Sequence, residues 1–235
     1  MTKELNLPLN MFNETGIYIL LNDESWLALT RENIEKITQD YWNNVHKFSD
    51  KIKEMIEFQR CQLCPAKGGK DFCDALRPIL PLLEIIDEYN SFDKISAVYK
   101  SNTDKIYYVS NTTIQEALQY IAILSLTQYC QLGKKYWKYY LGTVPLMNGQ
   151  EVSKRIYLNI YWLCKGDKEV IQKIIKEFSE TMRIIARTQV RRLNLICKND
   201  AFMNAFINAH VITEMLDLNI ENILEKAFEK FENNQ

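Results

Sequence analysis

Residues 95–132 read ISAVYKSNTDKIYYVSNTTIQEALQYIAILSLTQYCQL, and a change of rhythm inside this stretch decides the fold. Residues 95–100 and 105–110 flank Ser101-Asn102-Thr103-Asp104, a run of turn formers, and read as a β-hairpin. After Asn111-Thr112-Thr113 the pattern turns helical and strand signals do not clearly return. Residues 114–132 are apolar on nearly all sides, as in a central, buried helix.

Upstream, residues 16–30 read as another hairpin. Ile17, Ile19 and Leu21 alternate, Asn22-Asp23-Glu24-Ser25 turns, and Trp26-Leu27-Ala28-Leu29 returns. Thr30 is placed to cap a helix with Ile34, Ile37, Tyr41 and Val45 on one face. Residues 52–59 suit a strand or a helix, and Pro78 and Pro81 open a short apolar helix over 82–89. Downstream, residues 152–164 suggest a helix closed by Lys165-Gly166-Asp167. Over 167–195, Ile171, Ile174, Phe178, Met182 and Ile185 recur every three or four positions, which predicts a long amphipathic helix. Asp200 is placed to cap the next helix, and residues 220–231 form a last one. The expected class is α+β: a small N-terminal antiparallel sheet of two hairpins, then a mostly helical body. Residues 1–110 and 111–235 read as parts of a single domain without a sharp boundary.

Composition narrows the function classes. With 47% hydrophobic and 25% charged residues, the 235-residue chain is neither disordered nor fibrous. Its 29 Lys+Arg against 30 Asp+Glu give a net charge of −1, which argues against a chain-wide polyanion binder. Two histidines leave little room for His-based catalysis. The start, MTKELNLPLNMF, lacks the pattern of a signal peptide, and the longest uncharged run, residues 117–132, is too short and polar to span a bilayer. A cytoplasmic, non-membrane protein is the expectation.

In that compartment thiols stay reduced, so clustered cysteines suggest metal ligands or redox groups before disulfides. The chain has six cysteines. Cys61-Gln62-Leu63-Cys64-Pro65 is a C-x2-C pair, and Cys73 follows on the same loop. Two intervening residues let a turn aim both sulfurs at one ion, and Gly68-Gly69 let the backbone fold back. Arg60, Lys67, Lys70 and Arg77 lie alongside to offset thiolate charge. Cys130, at the end of the buried helix, is the favoured fourth ligand, with Cys164 and Cys197 behind it. A [4Fe–4S] cluster and Zn²⁺ both remain open, as does a metal-free reading in which the thiols are core residues or a redox pair.

The stretch from Cys61-x-x-Cys64-Pro65 and Cys73, through Ser91-Phe92-Asp93-Lys94 and Thr113-Ile114-Gln115-Glu116-Ala117-Leu118, to Cys130 and Asp200-Ala201-Phe202-Met203-Asn204-Ala205, resembles an uncharacterised bacterial family. The resemblance spans residues 57 to 216 and leaves out the first hairpin and first helix. It implies that Cys61, Cys64, Cys73 and Cys130 belong together, and it brings no established activity. Members often carry His-Leu-Pro where this chain has Thr143-Val144-Pro145, and a proline where it has Gln131.

The leading expectation is a metal-centre protein with a structural or redox-sensing role and no catalytic activity. One alternative is nucleic-acid association through Arg183, Arg187 and Arg191, which step by four along one helix with Arg192 adjacent. The segment Lys134-Lys135-Tyr136-Trp137-Lys138-Tyr139-Tyr140 adds interleaved bases and rings, though these also suit a core with exposed lysines. A second alternative is an enzyme with a pocket near Asn204, Asn208 and His210, the last one turn from Glu214. No phosphate loop, nucleophile elbow, dinucleotide fingerprint or paired-carboxylate motif supports it.

Overall fold

The computed structural model describes residues 11–57, 61–64 and 73–232. Strands β1 (Gly16–Leu20) and β2 (Trp26–Thr30) form the first hairpin, and β3 (Lys94–Lys100) and β4 (Ile106–Thr113) the second. The hairpins join along β1 and β3 into one antiparallel sheet of order β2-β1-β3-β4. Ile17 and Ile19 point toward the helical body and enter its core. Tyr18, on the opposite face, packs with Phe12, Val98 and Trp26 into a small second cluster, with ring centroids 4.9 Å apart for Phe12–Tyr18.

The second hairpin runs further than its pattern suggests. Ile95 pairs with Thr112 but Ala97 with Val109, so β4 carries an extra residue. Asn111 sits at φ 63°, a left-handed conformation that asparagine tolerates, and the bulge lets β4 continue to Thr113. Thr113 then caps α4 (Ile114–Leu124) directly. Its hydroxyl accepts the Glu116 amide at 3.2 Å while Glu116 accepts the Thr113 amide at 3.1 Å, a reciprocal capping box.

The helical body comprises α1 (Arg31–Asn43), α2 (Asp50–Glu57), α3 (Leu80–Ile86), α4, α5 (Gly149–Leu163), α6 (Lys168–Leu193) and α7 (Ala201–Glu232). The ambiguous segment after residue 50 is the helix α2, with Met55 fully buried. The two helices expected after Asp200 are one: no glycine or proline interrupts α7. Helix α4 is central as expected, packing against the sheet and α7. It does not run on to residue 132 but widens into a π turn (Ser125–Tyr129) that ends at Cys130. Ile19, Leu80, Ile121, Phe178 and Phe206 belong to one apolar cluster that spans sheet and helices. Each such side chain, fully buried, contributes about 1.5–3 kcal/mol.

Asp200 divides its carboxylate between its own helix and a distant segment of the chain. It accepts the Ser91 amide at 2.7 Å, the Ser91 hydroxyl at 3.0 Å and the Asn204 side-chain amide at 2.8 Å. Two of the motifs that carry the family resemblance thus meet across the fold. Ser91 is fully buried, so Asp200→Ala would strand its two donors, and a loss of about 3 kcal/mol in urea unfolding is expected. Asp200→Asn, which keeps an acceptor, should lose less. No helix among the described residues is long and apolar enough to cross a membrane.

Candidate metal centre

The C-x2-C pair sits on a tight turn in which the Cys64 amide donates to the Cys61 carbonyl at 2.9 Å. Cys73 enters a short 3-10 turn (Asp74–Leu76), the Leu76 amide closing on its carbonyl at 2.9 Å. Cys130 terminates the π turn, its amide donating to Ser125 O at 3.1 Å. The two carriers are fastened to each other. Ser125 Oγ donates to Ala75 O, and Gln131 Nε2 donates to Asp74 Oδ2 at 2.9 Å. Pro65, the Gly68-Gly69 pair and the loop cations Arg60, Lys67 and Lys70 lie outside the described residues.

Beyond Cys130 the chain doubles back. At Gly133 a Cβ would stand 2.0 Å from Leu126 O and 2.9 Å from Leu126 C, so no side chain fits there. This close approach aims the Leu132 and Gly133 amides at the Cys130 thiol, and both favour its thiolate. Helix α6 lies against the same region. Gln189 and Arg192 are long polar side chains that are nonetheless 0% and 1% exposed. Gln189 Nε2 donates to Cys73 Sγ at 3.3 Å, while its Oε1 is buried without a hydrogen bond. Arg192, expected to extend the surface stripe, instead points inward.

Charge interactions link Cys61 with Cys73 and Cys64, and Cys130 with Cys73 and Cys61. Burial pushes the Cys61 thiol up, opposed by the Thr188 hydroxyl and the Arg192 charge, while Cys73 and Cys64 add to the rise. Burial likewise pushes Cys130 up to about 11, against the amides of Gly133 and Leu132, with Cys73 and Cys61 adding to the rise. The Cys61 and Cys130 thiols are protonated at neutral pH in the free chain, and a metal would have to displace those protons. Among the described residues, no group of three or more His, Cys, Asp or Glu is gathered tightly enough to hold a metal ion. No cysteine is among the charges acting on the other two. Burial and Asp167 act on Cys164, and burial and Asp87 raise Cys197 to about 12.

The remaining expected site residues divide. Arg183, Arg187 and Arg191 are exposed on α6. His210 Nε2 meets Glu214 Oε1 at 3.0 Å, and its Nδ1 is buried without a hydrogen bond. Burial pushes the His210 pKa down, with Glu214 opposing and the Arg187 and Arg183 charges adding to the fall. Its contribution to stability is therefore full above the ordinary histidine range and is lost as pH falls through it. Asn204 is occupied with Asp200, and Asn208 is half-buried. In the 134–140 segment Tyr136 and Tyr140 are buried against Phe178, while Trp137 is exposed.

Fold and site together define an α+β protein in which Cys61 and Cys130 are buried and Cys64 and Cys73 partly buried, with the Cys73 segment fastened to the end of the central helix. The chain belongs to DUF6901, a domain family of unknown function, which it matches over residues 33–232. That match includes all four cysteines and most of α1, more of the chain than the motif resemblance covers. No curated protein and no solved structure matches the chain.

The Ser91–Asp200 link and the Gln189–Cys73 bond both escaped sequence reasoning. The only available signal for Gln189 and Arg192 was negative: Gln189 falls on the apolar face of the α6 pattern, where a polar residue needs a partner.

Proposed function

We propose that Cys61, Cys64, Cys73 and Cys130 hold a metal centre, a [4Fe–4S] cluster or a zinc ion, in a structural or redox-sensing role without catalysis. The observation that carries this reading is the set of buried donors around sulfur. A neutral thiol is a weak acceptor, and burying a glutamine against one is poorly compensated. A thiolate is a far better partner for the Gln189 amide and for the Leu132 and Gly133 amides. Four thiolates on zinc or on a [4Fe–4S]²⁺ core leave about two negative charges. Arg192, which is buried and already acts on Cys61, offsets part of that charge.

In this role the chain's own residues hold the ligands and exclude water. A bound centre would supply either a rigid cross-link or a one-electron couple. The cross-link would tie the 61–73 loop to the end of α4, and so the sheet-side segments to the helical body.

The test is elemental analysis and a visible spectrum of protein purified without oxygen. Four iron and four sulfide per chain with a broad visible band would select the cluster and redox sensing. About one zinc in a colourless protein would select a structural clip. Cys64→Ser should lower metal content and melting temperature together. Neither metal in anaerobic protein would sink the proposal. The exposure of Arg183, Arg187 and Arg191 favours a second reading, nucleic-acid association, whose signature is binding that weakens steeply with salt.

A further inference from the structure

Beside the π turn lies a cavity of about 300 Å³ where sheet, α1 and α4 meet. Leu29, Ile34, Ile121 and Leu124 supply an apolar lining, and Tyr99, Tyr120 and Tyr129 supply aromatic surface. Among the described residues the sole cation in the lining is Arg31, which is bonded to Glu35 at 2.9 Å and largely exposed. Burial raises the pKa of all three tyrosines, so their hydroxyls stay protonated near neutrality.

We infer that this cavity is a binding site for a neutral one- or two-ring aromatic molecule carrying a hydroxyl or carbonyl group. Its volume falls at the lower end of small-molecule sites, about 300–1,000 Å³, which fits that size. The apolar lining with a few polar groups matches how such sites bind and orient ligands. The neutrality follows from the lining: a carboxylate would find only an already paired Arg31, and desolvating it would be uncompensated. The π turn adds an independent observation. Single π turns recur at functional sites, and this one places Ser125, Gln128 and Tyr129 on the cavity wall. Thr15, Gly16, Leu29 and Arg31 of the lining precede the family match, so part of the site is built by sequence outside that match. The inference does not depend on the metal centre.

Isothermal titration of the full chain with 2-naphthol tests it. Saturable one-to-one binding is expected, and 2-naphthoate should bind about tenfold more weakly. Leu124→Trp, at a half-buried position, should fill the cavity and reduce 2-naphthol affinity about tenfold or more. Gln128→Trp, at an exposed position in the lining, provides the same test should the first variant fold poorly. Trp162→Glu, on a ring that is 77% exposed on α5, should leave affinity unchanged. Absence of saturable binding, binding indifferent to a folded Leu124→Trp or Gln128→Trp, or preference for the naphthoate would overturn the inference.

Discussion

Cys130→Ser is expected to strip the protein of metal and lower its melting temperature, whereas Cys164→Ser should do neither. Cys130 is 7% exposed, ends the π turn, and receives amides from a segment folded back on it. Serine keeps the shape but is a hard, ordinarily protonated ligand that binds zinc and iron–sulfur iron far more weakly than thiolate does. Loss of one of the four proposed ligands would leave such a centre three-coordinate and exchangeable. If the centre contributes even about 3 kcal/mol to folding, the melting temperature should fall by about 6–12 °C for a chain of this size. A buried hydroxyl has its own cost, so the decisive comparison is with metal-depleted protein. There the difference between Cys130→Ser and the unmodified chain should shrink to about 1–2 kcal/mol. Cys164, at the end of α5 beside Asp167, has no cysteine among the charges acting on it. Normal metal content in Cys130→Ser, or equal losses in both variants, would remove Cys130 from the ligand set.

What the sequence made legible was local, and what it hid was contact across the fold. The hairpin at residues 95–110 announced itself because turn formers separate two short strands. The amphipathic α6 did so because Ile171, Phe178, Met182 and Ile185 repeat at helical spacing and are all buried. The join of the two hairpins along β1 and β3 left no local mark, since it pairs Gly16 with Lys100, far apart in sequence. Asn111 broke the strand pattern because a bulge looks like a strand end until the register beyond it is known. The cysteines were conspicuous by spacing. Their donors were not: Gln189 and Arg192 sit on a helix more than a hundred residues from Cys73, and Arg192 read as surface because its neighbour Arg191 is. Asp200 looked like an ordinary helix cap, and only the fold reveals that its carboxylate holds Ser91.

The same distinction makes Gly133 the most informative single position for the architecture around Cys130. Gly133→Ala should destabilise the protein by at least about 3 kcal/mol, or about 6–12 °C, in thermal or urea unfolding. The reason is contact and not backbone freedom. The added methyl would overlap Leu126 O at 2.0 Å and press on Leu126 C at 2.9 Å. Leu126 is fully buried within the π turn, so its carbonyl cannot retreat without unwinding that turn. Gly142 is the contrasting control. Its φ of +75° strains any other residue, but its Cβ would meet only the Arg155 side chain, at 3.6 Å or more. Gly142→Ala should therefore cost about 1–2 kcal/mol, the conformational penalty alone. Because the Gly133 amide faces the Cys130 thiol, a Gly133→Ala chain that still folds should also bind metal more weakly, and the Gly142 variant should not. An alanine at 133 that leaves stability unchanged would mean that the chain does not fold back over the π turn, and the amide donors to Cys130 would fall with it.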